Sequence, residues 1–152
     1  MSGIRQVPYG AFNFIVDLGT GSSTGPDAGF EECGPFSERI DVIEYRNGDD
    51  PTNEPHKITG LATVEDVSFK RGVIGSETLY DWFDQVRGGS ESALRNITVA
   101  LLSEDRAARV MTWKLVRARP VRYRGGPLHG GSSDIAIEEL VLAYERLEVA
   151  TA

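Results

Sequence analysis

Cysteine is nearly absent from this chain of 152 residues, where Cys33 stands alone. No intrachain disulfide and no cysteine-based zinc site can be assembled from it, so packing must hold the fold together. Long apolar runs are missing as well. Stretches such as Phe14-Ile15-Val16 fall far short of the roughly 20 residues that a membrane-spanning helix needs, and the opening MSGIRQVPYGAF lacks the apolar segment of a secretory signal. Synthesis in the cytoplasm, with no membrane insertion of the monomer, is the expectation. Bases are scarce in the first half: up to Phe69, 12 acids face 4 bases, and the whole chain carries a formal charge of −7. An acidic surface repels phosphates, which argues against a general nucleic-acid binder.

What is present is ordinary globular chemistry, 40% apolar and 26% charged, with 17 glycines and 7 prolines to make turns. One domain spanning residues 1–152 is expected. The bases that do occur are clustered. Arg106, Arg109, Lys114, Arg117, Arg119, Arg122 and Arg124 follow one another with no acid between them. Such a basic stretch either pairs with acids inside the monomer or complements the acidic half of a neighbouring copy.

Period-two patterning dominates. In Phe12-Asn13-Phe14-Ile15-Val16-Asp17-Leu18 every even position is apolar, which predicts a strand leading into the Gly- and Ser-rich loop 19–26. Residues 39–46 alternate less cleanly but are rich in Ile, Val and Tyr. They end in Asn47-Gly48-Asp49-Asp50-Pro51, which predicts an exposed loop as far as Glu54, Asn53 included. Further strands are predicted at 62–70, 94–102, 109–119 and 134–148. One segment departs from this rhythm: Leu79, Trp82, Phe83 and Val86 recur at helical spacing, with Ser76 as N-cap, Arg87 in the last turn and Gly88 as the stop. The core is expected to include Phe14, Val16, Phe69, Leu79, Trp82, Phe83 and Leu140. The later strands carry apolar residues on both faces, so both faces must be covered, either by a well-filled sandwich or by neighbouring subunits.

Catalytic chemistry finds little support. Asp17-Leu18-Gly19-Thr20-Gly21 resembles the first phosphate loop of the actin, Hsp70 and sugar-kinase superfamily, but that fold needs two lobes and a longer chain, and no second matching loop is present. His56 and His129 lie apart in predicted loops and imply no metal. Glu138 and Glu139 are neighbours on a predicted strand and point to opposite faces, so they cannot act together across a substrate. No catalytic, cofactor-binding or metal-ligating residue is assigned, and the chain is expected not to be an enzyme. A monomeric ligand-binding β-barrel and, more distantly, a nucleotide-binding enzyme using the Asp17 loop are the alternative readings.

Seven blocks in order carry a resemblance: Ala11-Phe12-Asn13-Phe14, Gly34-Pro35-Phe36-Ser37, Val42-Ile43-Glu44-Tyr45-Arg46-Asn47-Gly48, His56-Lys57-Ile58-Thr59-Gly60-Leu61, Val67-Ser68-Phe69-Lys70-Arg71-Gly72-Val73, Leu79-Tyr80-Asp81-Trp82-Phe83 and Ala136-Ile137-Glu138-Glu139-Leu140-Val141-Leu142-Ala143-Tyr144-Glu145. Over about residues 8–148 the chain resembles the inner tube proteins of contractile tails, the phage T4-like tail tube family and its relatives in extracellular contractile injection systems. The resemblance implies a mainly β fold, a small β-barrel or sandwich flanked by one helix. It also implies six copies in a ring, with rings stacked into a hollow tube inside a contractile sheath of a virion tail or tail-like particle. Implied partners are the chain itself, sheath, baseplate and terminator proteins, and cargo or DNA passing the lumen, with no cofactor. Contacts between copies are expected from Asn47, Asp49, Asp50 and Asn53 in the loop and from Arg117, Arg119, Arg122 and Arg124.

Overall fold

The computed structural model describes residues 4–19, 29–131 and 133–151. Among these, the chain forms β1 (Phe14–Asp17), β2 (Glu32–Gly34), β3 (Glu38–Tyr45), β4 (His56–Val64), β5 (Val67–Gly72), the helix α1 (Thr78–Arg87), β6 (Arg95–Leu102), β7 (Arg109–Gly125), β8 (Ile137–Ala143) and β9 (Arg146–Ala150). Their pairings are antiparallel. Seven strands make one sheet in the order β1-β6-β7-β8-β5-β2, with β9 added on β7, while β3 and β4 pair only with each other.

The 17 residues of β7 serve two sets of neighbours. Its first part runs beside β6, its last part beside β8, and β9 lies opposite Thr112 to Val116. The pairs Arg119↔Ala143 and Val116↔Arg146 continue a single register, so β8 and β9 are two pieces of one path along β7. Between them the strand bulges: Arg95 faces Ala118 and Ile97 faces Leu115, leaving Val116 and Arg117 against Asn96 alone. Arg117 takes a left-handed φ of 54°, and its N–H, turned out of the ladder, donates to Asn96 Oδ1 at 3.1 Å.

Several sequence expectations are corrected here. β7 does not stop at Arg119 but crosses Pro120 to Gly125, with the proline at a register shift where no ladder donor is needed. The expected strand 134–148 starts at Ile137 and is interrupted at Tyr144 and Glu145, opposite the Arg117 bulge. The expected strand 62–70 divides at Glu65 and Asp66, because β4 belongs to the isolated ribbon and β5 to the main sheet. Phe12 lies outside β1 and is 73% exposed. The helix begins at Thr78, so its N-cap is Glu77 and not the expected Ser76, whose hydroxyl lies one position too early and accepts the Thr78 N–H at 3.3 Å.

Val16, Phe69, Leu79, Trp82 and Leu140 are buried in one cluster together with Ile97, Leu115 and Leu142. Phe14 is half-buried against that cluster. Phe83 is half-buried and outside it: Leu79, Trp82 and Val86 occupy the inward stripe of α1, and Phe83 falls on its flank against the Tyr80 ring, 6.4 Å between centroids. Trp82 joins helix to sheet in two ways. Its Nε1–H donates to the Ala93 carbonyl at 2.6 Å, and the Arg95 guanidinium stacks 4.6 Å from its ring. On the other side of the core, Arg71 of β5 and Glu138 of β8 are register partners, both buried, with Nε to Oε1 at 2.6 Å. The Tyr123 hydroxyl donates to the second oxygen of Glu138 at 2.7 Å, tying three adjacent strands together, and that bond holds the tyrosine proton above its ordinary range.

Trp82→Ala removes the largest fully buried side chain and should lower unfolding free energy by about 3–5 kcal/mol in denaturant melts, with Phe83→Ala losing well under that. Equal losses would contradict the inward placement of Trp82 alone. Arg71→Met by itself strands a buried carboxylate and should cost roughly 3–5 kcal/mol, while Arg71→Met with Glu138→Leu should recover most of the loss. A double variant no more stable than the single one would show that the pair does not act as a unit.

Candidate assembly interface

The β3–β4 ribbon leaves the main sheet at Ser37 and Glu65, where the Glu65 N–H closes its base on the Ser37 carbonyl at 3.0 Å. Every residue of β3 is exposed. Across the ribbon Ile43 pairs with Ile58 and Ile40 with Ala62, and successive residues of a strand point to opposite faces, so Ile40 and Val42 lie on one face while Ile43, Tyr45 and Ile58 lie on the other. With Leu61 these side chains are between 50% and 81% exposed. A lone two-stranded ribbon is marginal in water, and this one exposes aliphatic side chains among its charged ones on both faces. The imperfect alternation of residues 39–46 is the sequence signal for this: a strand with one buried face alternates cleanly, and this one carries aliphatic side chains on both faces.

At its far end the chain folds into a compact tip. The Arg46 guanidinium donates to the carbonyls of Thr52 at 2.9 Å and Asp50 at 3.2 Å. The Asn47 N–H donates to Asp50 Oδ2 at 2.9 Å, and the Tyr45 hydroxyl to Asn47 Oδ1 at 2.7 Å. His56 Nε2 lies 3.3 Å from Asp50 Oδ2. Of the expected contact residues, Asn47 and Asp50 are therefore engaged within the tip itself, whereas Asp49 and Asn53 are exposed. No ion pair engages Asp41, Glu44, Asp49 or Glu54 among the described residues.

The expected basic set divides in two. Arg117 and Arg119 both reach Glu145 Oε2, at 2.7 and 3.1 Å, and these guanidinium groups hold the Glu145 carboxyl below its usual range. Arg122 and Arg124 are exposed and carry no ion pair among the described residues. Their surroundings explain it: Arg122 faces Val141 in the ladder, and Arg124 faces Glu139, which is already occupied by the Ser68 hydroxyl at 2.8 Å and by Lys70 at 3.8 Å. No ion pair joins the acidic loop to this basic set within one chain, among the described residues.

The remaining candidates make local contacts. The Asp17 carboxylate accepts the Gly19 N–H at 2.9 Å, turned back on its own loop, and the glycines and serines after Gly19 lie outside the described residues. His129 Nδ1 accepts the Gly131 N–H at 3.2 Å. No group of three metal-ligating side chains converges among the described residues, and no described helix is long and apolar enough to cross a membrane. Cys33 is half-buried, and burial pushes its thiol up to about 11. Glu138 and Glu139 do point apart, one to Arg71 and Tyr123, the other to Ser68 and Lys70.

Known proteins share this arrangement. No curated protein matches the chain significantly. Among solved structures, the sheath–tube complex of the PVC extracellular contractile injection system contains a chain with 25% identity and a TM-score of 0.82, covering 95% of this chain and 93% of that one. The anti-feeding prophage baseplate contains one with 26% identity and a TM-score of 0.82, covering 96% and 97%. The tube-terminating cap of the same prophage contains one with 23% identity and a TM-score of 0.84, covering 100% and 97%, and at that identity the likeness is one of fold. The family model of the T4-like virus tail tube protein gp19 matches residues 10–148. Nearly the whole described chain, ribbon included, is thus accounted for by one family, and the protein belongs to the T4-like tail tube proteins.

Proposed function

We propose that this chain is the repeating subunit of the inner tube of a contractile tail or tail-like injection particle, six copies closing a ring and rings stacking into a hollow conduit. Its work is assembly, and no covalent step is required of it. The observation that carries this reading is the β3–β4 ribbon, which exposes aliphatic side chains on both faces and is uncovered by its own chain. Other copies of the subunit are present at every repeat of a tube and can bury such a surface. The sheet adds a second reason. The four strands β1, β6, β7 and β9 end in two outer edges, β1 and β9, and unpaired strand edges favour lateral continuation into a neighbour. Backbone hydrogen bonds shared along a ring would resist a mechanical stroke better than side-chain contacts alone.

Sheath, baseplate and terminator proteins are the partners this reading names, in line with the particles in which the similar chains occur. DNA or protein cargo would pass the lumen when sheath contraction drives the tube through an envelope. A monomeric ligand-binding barrel is the competing reading, and it predicts a single small species at every concentration.

The tip between Asn47 and Glu54 is assigned to bracing the adjacent ring. Replacing it with a two-residue turn should leave rings visible in negative-stain micrographs and abolish long tubes. Tubes of normal length from the shortened protein would overturn that assignment.

A further inference from the structure

We infer that the segment ahead of β1, residues 4–10, is an exchangeable strap that leaves its own copy during assembly and takes the same seat, against Glu104, on a second copy of this chain. The inference rests on the tube reading and deepens it by naming one contact between copies. The strap has no regular secondary structure and is folded on itself by one side chain. The Arg5 guanidinium lies 3.5 Å from the Tyr9 ring centroid and donates to the Pro8 carbonyl at 3.0 Å. It also donates to both carboxylate oxygens of Glu104, in the turn between β6 and β7. No other ion pair reaches Glu104 among the described residues. The neighbouring Asp105 is turned back on the Ser103 hydroxyl and the Ala107 N–H, so Glu104 is the acid that this turn presents outward.

Several features separate this strap from a segment docked for the stability of its own copy. Its anchor is polar and wet: Arg5 and Glu104 are both exposed, and an exposed ion pair resists opening only weakly. Its apolar side chains find no cover at home, since Ile4 and Val7 are exposed, as is Phe12 behind them. Its root is fixed where its body is not. Asn13 is tied to the end of β6 by its carbonyl, which accepts the Leu102 N–H at 2.8 Å, and by its side-chain oxygen, which accepts from Arg106 at 3.2 Å. Between root and body the chain reverses at Ala11 and Phe12, so tightly that a Cβ on Gly10 would meet the Phe12 ring at 2.3 Å. Opening that turn frees the body without breaking any pairing of β1 with β6, and a chain from Asn13 to Arg5 reaches up to about 25 Å when extended. The seat left behind is refilled in kind. Tyr9 lines a hollow of about 350 Å³ together with Phe14, Phe36, Leu101 and Trp113, and the strap of another copy brings the same tyrosine to it. Exchange thus conserves the contacts of the strap, because every copy presents the same Glu104 and the same hollow, and it carries Ile4 and Val7 to the junction of two copies, where apolar surface can be buried. Passed in one direction from copy to copy, such a contact links subunits head to tail.

The test is cross-linking across the seat in the assembled full-length protein. Arg5→Cys with Glu104→Cys, in a Cys33→Ala background, is assembled and treated with a short bismaleimide, which tolerates the span of the two long side chains it replaces. After denaturation, exchange predicts a ladder of covalent multiples of the chain, and either cysteine alone should leave single chains. Internally cross-linked single chains from assembled rings would overturn the exchange, as would thiols that stay uncoupled in a folded, assembled variant. A second measurement needs no cross-link. In an Arg5→Glu chain, and in a Glu104→Arg chain, like charges face each other within the copy, whereas alternating copies of the two meet with opposite charges. An equal mixture should therefore form sedimentable assemblies at a several-fold lower concentration than either chain alone, with thermal melts confirming that both are folded. Equal concentrations for the mixture and its components would overturn the exchange. Failure of the unsubstituted chain to form rings at all would instead overturn the tube reading beneath it.

Discussion

Everything in this fold hangs from the bend in β7. A strand of 17 residues cannot stay flat against one set of partners. The Arg117 bulge, with its left-handed backbone and its N–H given to Asn96, redirects the strand so that its first half faces β6 and β9 and its second half faces β8. The bend also decides the charge pattern. It brings Arg117 and Arg119 to Glu145, at the interruption between β8 and β9, and leaves Arg122 and Arg124 beyond it without such a partner. One local backbone feature thus marks where the strand changes partners and sorts a run of arginines by whether Glu145 reaches them.

The ribbon is the opposite case, a segment the monomer leaves unfinished. Its strands pair with each other, its tip is tied by five named side chains, and yet both of its faces carry exposed aliphatic side chains. Rigid form without cover is what a docking element needs: the entropy of ordering is lost before the partner arrives, and the apolar surface is buried when it does.

The β-rich order with one helix, the inward Trp82 and the exposed loop after Tyr45 were legible because each is written in local pattern: period two, period 3.6, and Asn-Gly with proline. The expected inward place of Phe83 was not recoverable that way, since a ten-residue helix gives its inward stripe to Leu79, Trp82 and Val86 and the neighbouring position is decided by what packs beside it. Strand limits failed at Glu65 and at Tyr144 because a strand ends where its partner ends, and partners are far off in sequence. The basic run from Arg106 to Arg124 reads as one patch in the sequence, but Glu145, more than 20 residues away, pairs with two of its members and offsets half of their charge. The resemblance to tail tube proteins spread over seven blocks survived all of this, because it depends on the order of elements and not on any one boundary.

The central claim is that copies of this chain complete one another. Imaging the purified full-length protein by electron microscopy over a concentration series tests it most directly. The account predicts rings with six-fold rotational symmetry that stack into hollow tubes as concentration rises. A single monomeric species at every concentration, folded and stable, would contradict it.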